Sequence, residues 1–218
     1  EHAAFAARLG VEVTQIHCVD LLTTPLNPGI LDGVDALLVG GSGDHSVLDD
    51  TPEIHGFISF LADVVGLGFP TFASCFGFQG LALALGGSVV SDPARAEVGS
   101  YTLALTVAGS RDPLFSALPE RFIAQLGHKD HVTGLPETAV RLASSERSPF
   151  QALKVVGKPI YATQFHPELT WKDNRQRFLR YMDTYGALFG EQEAQERLDS
   201  HVPGPEANTL IRRFVEML

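Results

Sequence analysis

The sequence predicts an α/β fold: three layers, with a mostly parallel central sheet flanked by helices and an antiparallel extension in the second half of the chain. Three observations lead there. The first half alternates strand-like and helix-like segments, as a parallel sheet covered on both faces requires. The second half is richer in short strand-like runs, two of them joined as a hairpin by Gly157-Lys158-Pro159. Finally, 218 residues that are 44% hydrophobic and 19% charged are too apolar for disorder and numerous enough to bury a core without disulfide or metal support.

Glu1 to Leu9 is alanine-rich and ends at Gly10, a residue favoured just past a helix C-terminus. Val11 to His17 and Asp35 to Val39 read as strands, the second a short apolar run suited to a sheet buried on both faces. Thr51 has the chemistry of an N-cap, with Pro52 in the first helical position and Glu53 in the first turn. Phe57, Phe60, Leu61, Val64 and Val65 then form a stripe at helical spacing. Next come a strand over Pro70 to Ser74, a turn at Cys75 and a helix from Gly77 to Leu85, closed by Gly86-Gly87. Tyr101–Val107, Arg121–Gly127, Val140–Ser144, Phe150–Val156 and Ile160–Phe165 read as strands, and Trp171–Phe189 and Asn208–Leu218 as helices. Glu191, Glu193 and Glu196 mark the solvated face of an acidic helix between those two. An α/β fold usually opens on a strand, so a first strand is expected ahead of Glu1 in the natural protein. Residues 1–190 are read as one domain, with 191–218 a helical extension packed on it.

A net charge of −10 gives no electrostatic footprint for nucleic acid or an anionic membrane surface. Val64 to Ser91 carries no charged side chain, but Pro70 and six glycines inside it argue for buried strand, turn and helix rather than a membrane span. EHAAFAARLG has neither the basic start nor the apolar core of a signal peptide. Two cysteines make no disulfide framework, so a reducing, cytoplasmic location is expected.

Three segments carry chemistry. In Phe72-Ala73-Ser74-Cys75-Phe76-Gly77-Phe78-Gln79-Gly80, a cysteine between strand and helix has small residues at −2 and +2, as a nucleophile elbow demands. A thiol at a helix N-terminus is biased toward thiolate; the alternative is a buried, inert cysteine. In Gln164-Phe165-His166-Pro167-Glu168, an imidazole and a carboxylate two residues apart supply a base and its orienting acceptor, or merely an exposed turn. Gly40-Gly41-Ser42-Gly43 follows a strand, where backbone N–H groups can converge on an oxyanion, or form a plain loop. No Gly-Lys-Ser/Thr follows, which excludes a P-loop. His128, Asp130 and His131 could be read as metal ligands, but no third endogenous ligand type stands out, and no metal is expected.

Taken together, and in this order, the three segments resemble the class I glutamine amidotransferases. Glu97-Val98-Gly99 and Gly127-His128-Lys129-Asp130-His131 resemble the GMP synthase-like branch. The resemblance implies a flavodoxin-like fold and a glutaminase without a cofactor. It implies Cys75 as nucleophile, His166 as general base and acid, and Glu168 as the residue orienting His166. It further implies the N–H groups of Gly41 and Phe76 as an oxyanion hole, Gln79 as a substrate-holding residue and Asp130 near the substrate's α-amino group. Ala73 and Ser42 depart from the family's usual glycine and proline. The implied partners are glutamine or another γ-glutamyl compound and a synthetase on a separate chain that accepts ammonia; an oligomer is compatible with the sequence. A free-standing γ-glutamyl hydrolase or peptidase uses the same acyl-enzyme, and a non-catalytic regulatory protein would keep only the fold.

Overall fold

The computed structural model describes residues 1–218. In chain order it has α1 (His2–Leu9), β1 (Leu37–Val39), α2 (Pro52–Leu67), β2 (Thr71–Ser74), α3 (Phe76–Ala84), β3 (Ser88–Ser91), β4 (Glu97–Leu105) and β5 (Arg121–His128). There follow β6 (Asp130–Gly134), β7 (Ala139–Ser144), β8 (Ala152–Val155), β9 (Ile160–Thr163), α4 (Trp171–Arg180), α5 (Met182–Phe189), α6 (Glu191–Asp199) and α7 (Leu210–Glu216). Seven strands form one sheet in the order β1-β2-β9-β8-β7-β4-β5. β1, β2 and β9 run parallel, and β8, β7, β4 and β5 extend the sheet through antiparallel pairs. β3 and β6 make a separate antiparallel pair.

The strand alternation sorts the core into layers. Phe72 and Tyr161 point to one face, where they meet Phe5 of α1 and Ile211 and Phe214 of α7. Their neighbours Ala73 and Ala162 point to the other, under Phe57, Leu61 and Val64 of α2 and Phe78 and Leu81 of α3. A third, smaller cluster joins Val98 of β4 to Phe178, Ala194 and Leu198 of α4 and α6. The start of α2 is as expected: Thr51 Oγ1 accepts from the Ile54 N–H at 3.3 Å and Pro52 occupies the first turn. No helix is long and apolar enough to cross a membrane.

Several expectations need correction. Val11–His17 is not a strand; it holds a short 3-10 turn over Val13–Gln15, with Glu12 and Gln15 bonding reciprocally across it. A strand needs a neighbouring ladder, and none lies beside this segment, which instead borders an apolar groove of about 770 Å³ along the outer edge of β1. Trp171–Phe189 is two helices, broken at Tyr181, whose φ of −108° and ψ of 20° leave the helical region. β4 begins at Glu97, four residues before the expected start, and the short β3–β6 pair was not expected at all.

Candidate active site

The turn from β2 into α3 is built around Cys75. Its φ of 50° and ψ of −101° make it the only non-glycine residue with positive φ, a strained conformation of the kind that projects a nucleophile from an elbow. Its backbone is fixed on both sides, the N–H donating to Thr163 O at 2.8 Å and the carbonyl accepting from the Gln79 N–H at 3.0 Å. The small residue expected at +2 is explained by geometry: a Cβ on Gly77 would lie 2.7 Å from Val39 Cγ1. Cys75 makes no side-chain capping bond at the start of α3, where the Gly77 N–H instead donates to Gly40 O at 3.3 Å.

β9 runs parallel to β2, and the chain leaving it brings His166 to a cleft beside Cys75, with Gln164 and Glu168 fully buried next to it. The His166 N–H donates to Gln125 O at 2.8 Å, and the imidazole Nδ1 lies 2.6 Å from Glu168 Oε1. Both side chains are buried. Burial by itself lowers the imidazolium pKa, but the Glu168 carboxylate and the Cys75 sulfur outweigh it and raise His166 to about 10. Burial likewise works against the Glu168 carboxylate, and the facing imidazolium overrides it and holds the pKa below its ordinary value. Gln164 Nε2 reaches Cys75 Sγ at 3.7 Å. Sequence-remote Cys75 and His166 thus line one cleft of about 240 Å³, with Glu168 buried behind the imidazole.

The loop after β1 closes the cleft. A Cβ on Gly41 would fall 2.7 Å from His166 Cε1 and 3.4 Å from Cys75 Cβ, so the loop lies directly against the imidazole. The Gly41 N–H donates to Glu1 Oε1 at 3.1 Å, and the same oxygen accepts from Arg177 Nη2 at 2.8 Å. Glu1, His166 and Glu168 bring potential ligand atoms within 4.8 Å of one another. Of these, His166 Nδ1 and Glu168 Oε1 bond each other, and Glu1 Oε1 serves Gly41 and Arg177.

Gln79 and Asp130 also line the cleft. The Gln79 amide nitrogen donates to Asp130 O at 2.9 Å and to Gln164 Oε1 at 3.1 Å, so its carbonyl oxygen is what remains for a ligand. Asp130 Oδ2 accepts from Ser46 Oγ at 2.6 Å, whereas Oδ1 is buried without a partner. An acceptor of that kind suits an ammonium group. Behind it, His128 bridges Asp130 O at 2.9 Å and Glu97 Oε2 at 3.1 Å. His131, packed edge-on against His128, is pushed down to about 4 by burial and the neighbouring imidazole, so it is neutral.

Sequence reasoning missed Glu1, Ser46, Arg177 and the roof formed by Tyr181 and Tyr185. Tyr181 Oη packs over the loop so closely that a Cβ on Gly43 would overlap it. Only the glycine character of the loop hinted at such close approach.

The model of the class I glutamine amidotransferase domain matches residues 3–182. The chain belongs to that family. The GMP synthase [glutamine-hydrolyzing] of Thermosipho africanus is 35% identical over 136 residues, covering 62% of this amidotransferase chain but only 24% of its own length. The chain therefore spans about a quarter of that curated relative. A GMP synthase [glutamine-hydrolyzing] subunit of Methanococcus aeolicus is 32% identical over 145 residues, covering 66% of this chain and 75% of the relative. The crystal structure of a glutamine amidotransferase from Thermotoga maritima superposes with a TM-score of 0.64 over 84% of this chain and 78% of that one, at 21% identity, and shares the fold.

Proposed function

We propose that this amidotransferase hydrolyses the side-chain amide of glutamine through a γ-glutamyl thioester on Cys75, and that the ammonia released is used by a synthetase on another chain. The observation that carries the reading is the strained Cys75 elbow beside a buried His166–Glu168 pair with a 2.6 Å hydrogen bond. The Cys75 thiolate attacks the amide carbon, and the carbonyl π electrons move onto oxygen. The N–H groups of Gly41 and Phe76 donate to that oxyanion; one such donor typically contributes about 3–4 kcal/mol. His166, held by Glu168, protonates the departing nitrogen as the C–N bond breaks and ammonia leaves. Water, giving its proton to His166, then attacks the thioester, and glutamate is released as the thiolate is restored. Asp130 reads the α-amino group, and the Gln79 carbonyl helps orient the substrate.

The GMP synthase relatives favour a synthetase of that kind as the acceptor. A cytoplasmic setting keeps the Cys75 thiol reduced. The test is glutamate release from glutamine by purified protein, alone and with candidate synthetase chains. Cys75→Ala should abolish it while leaving the unfolding midpoint near that of wild type. Undiminished turnover in that variant would end the mechanism. Rapid cleavage of γ-glutamyl dipeptides with glutamine untouched would transfer the same acyl-enzyme to a γ-glutamyl hydrolase.

A further inference from the structure

The Gly41 N–H, an oxyanion donor in the proposed reaction, is already in use: it donates to Glu1 Oε1 at 3.1 Å. Resting on the glutaminase reading, we propose that Arg177 is a positioning residue for this reaction, holding the Glu1 carboxylate so that it can leave the Gly41 N–H to the forming oxyanion.

One N–H hydrogen cannot fully serve two anions, and a carboxylate left against the hole would repel the charge that develops there. The carboxylate therefore needs another donor within reach. Arg177 Nη2 stands 2.8 Å from the very oxygen that holds Gly41. A small rotation about the Glu1 side chain breaks the weaker neutral N–H contact and keeps the charge-assisted one. Both partners are partly shielded, with 32% of the Arg177 side chain and 25% of the Glu1 side chain exposed, so neither is a freely solvated ion. Burial opposes the Arg177 charge, but Glu1, Glu168 and Cys75 together more than offset that, and the guanidinium stays cationic. α4 supplies it: the capping box of Thr170 and Asp173 fixes the first turn, and Asn174 and Phe178 bury the inner face on either side of Arg177.

The arrangement predicts an unusual suppression. Arg177→Gln leaves Glu1 with only Gly41 as a donor, so the hole stays blocked. Its kcat should fall by about 10²-fold, within the range for a lost oxyanion donor, while KM for glutamine changes by less than about threefold. Adding Glu1→Gln removes the competing charge, and the double variant should recover to within about tenfold of wild type. Arg177→Lys, which retains the cation, should keep most of the activity. Alkylation of Cys75 by iodoacetamide forms no oxyanion, so its limiting rate on the high-pH plateau, where the thiol is fully ionised, should hold in Arg177→Gln while kcat falls.

Three results would overturn the proposal: an unimpaired kcat in Arg177→Gln, a double variant as slow as the single one, or alkylation falling in parallel with kcat. The last would make Arg177 a tuner of the thiol instead. Should Arg177→Gln unfold, the comparison moves to Arg177→Met, which keeps the length and packing of the chain without its charge, with and without Glu1→Gln, where failure of Glu1→Gln to raise kcat is the overturning result. Absence of Cys75-dependent glutamate release from wild type would remove the glutaminase reading and this proposal with it; any of the three results in an active enzyme removes only the proposal.

Discussion

Gly41→Ala is the sharpest small perturbation of the site. The new methyl would start 2.7 Å from His166 Cε1, 3.2 Å from Glu1 Oε1 and 3.4 Å from Cys75 Cβ. Ordinary contact begins near 3.4 Å, so the imidazole and the loop must separate by roughly 0.7 Å in total. His166 cannot retreat freely, because its ring is tied to Glu168 at 2.6 Å and its backbone to Gln125 at 2.8 Å. Forcing one methylene-sized group into packing this close costs about 1–3 kcal/mol. Misplacing a catalytic group by about 1 Å costs on the order of 10²-fold in rate. We expect kcat for glutamine to fall about 10–10²-fold, with a stability loss of about 1–3 kcal/mol and KM nearly unchanged, since Asp130 and Gln79 are untouched. Glutamate production coupled to glutamate dehydrogenase, alongside urea unfolding, measures both quantities. A variant with kcat within twofold of wild type would refute the claim that the loop is packed against the working imidazole.

Glu168→Gln should cut kcat/KM by about 10–10²-fold and lower the pKa of His166, read from the pH dependence of Cys75 alkylation, because the carboxylate is what raises it. His166→Ala should lose more, about 10³-fold, and parity between the two would remove the base assignment. Asp130→Asn should raise KM for glutamine by roughly 10-fold or more, the value of a charge-assisted hydrogen bond, with kcat within a few-fold; an unchanged KM strikes Asp130 from the site. His131 binds its proton only near pH 4 when folded but near 6.5 when unfolded, so its contribution is complete above 6.5 and lost as pH falls toward 4. His131→Phe should therefore flatten the acid side of the stability curve relative to wild type, and parallel urea midpoints from pH 7 to 4.5 would contradict this.

What the sequence displayed and what it hid divide along one physical line. The Cys75 turn and the His166–Glu168 pair were legible because each depends on constraints within a few residues: small neighbours around a strained turn, and a rigid proline between imidazole and carboxylate. Strands such as β2 and β9 were equally plain, being apolar runs bounded by turn residues. Arg177 was not, because on α4 it is one of several basic residues, with Lys172, Arg175 and Arg180; only the tertiary fold sets it against Glu1. Tyr181 breaks a helix with neither glycine nor proline to announce the break. β3 and β6 stabilise each other across some forty residues, so neither short run declares itself alone. Val11–His17 failed in the opposite sense, having the alternation of a strand but no neighbour to pair with.

The ring next to the thiol links two distant parts of the molecule. Phe76, whose amide follows Cys75, stacks on Phe57 of α2 with centroids 5.0 Å apart and planes 20° from parallel. Gly80, one turn further along, lets the same Phe57 ring press against α3. A helix with no side chain in the cleft thereby packs directly against the turn that presents Cys75. Random mutagenesis selected on glutamine turnover alone should accordingly return substitutions at Phe57, outside the cleft, alongside those at Cys75 and His166.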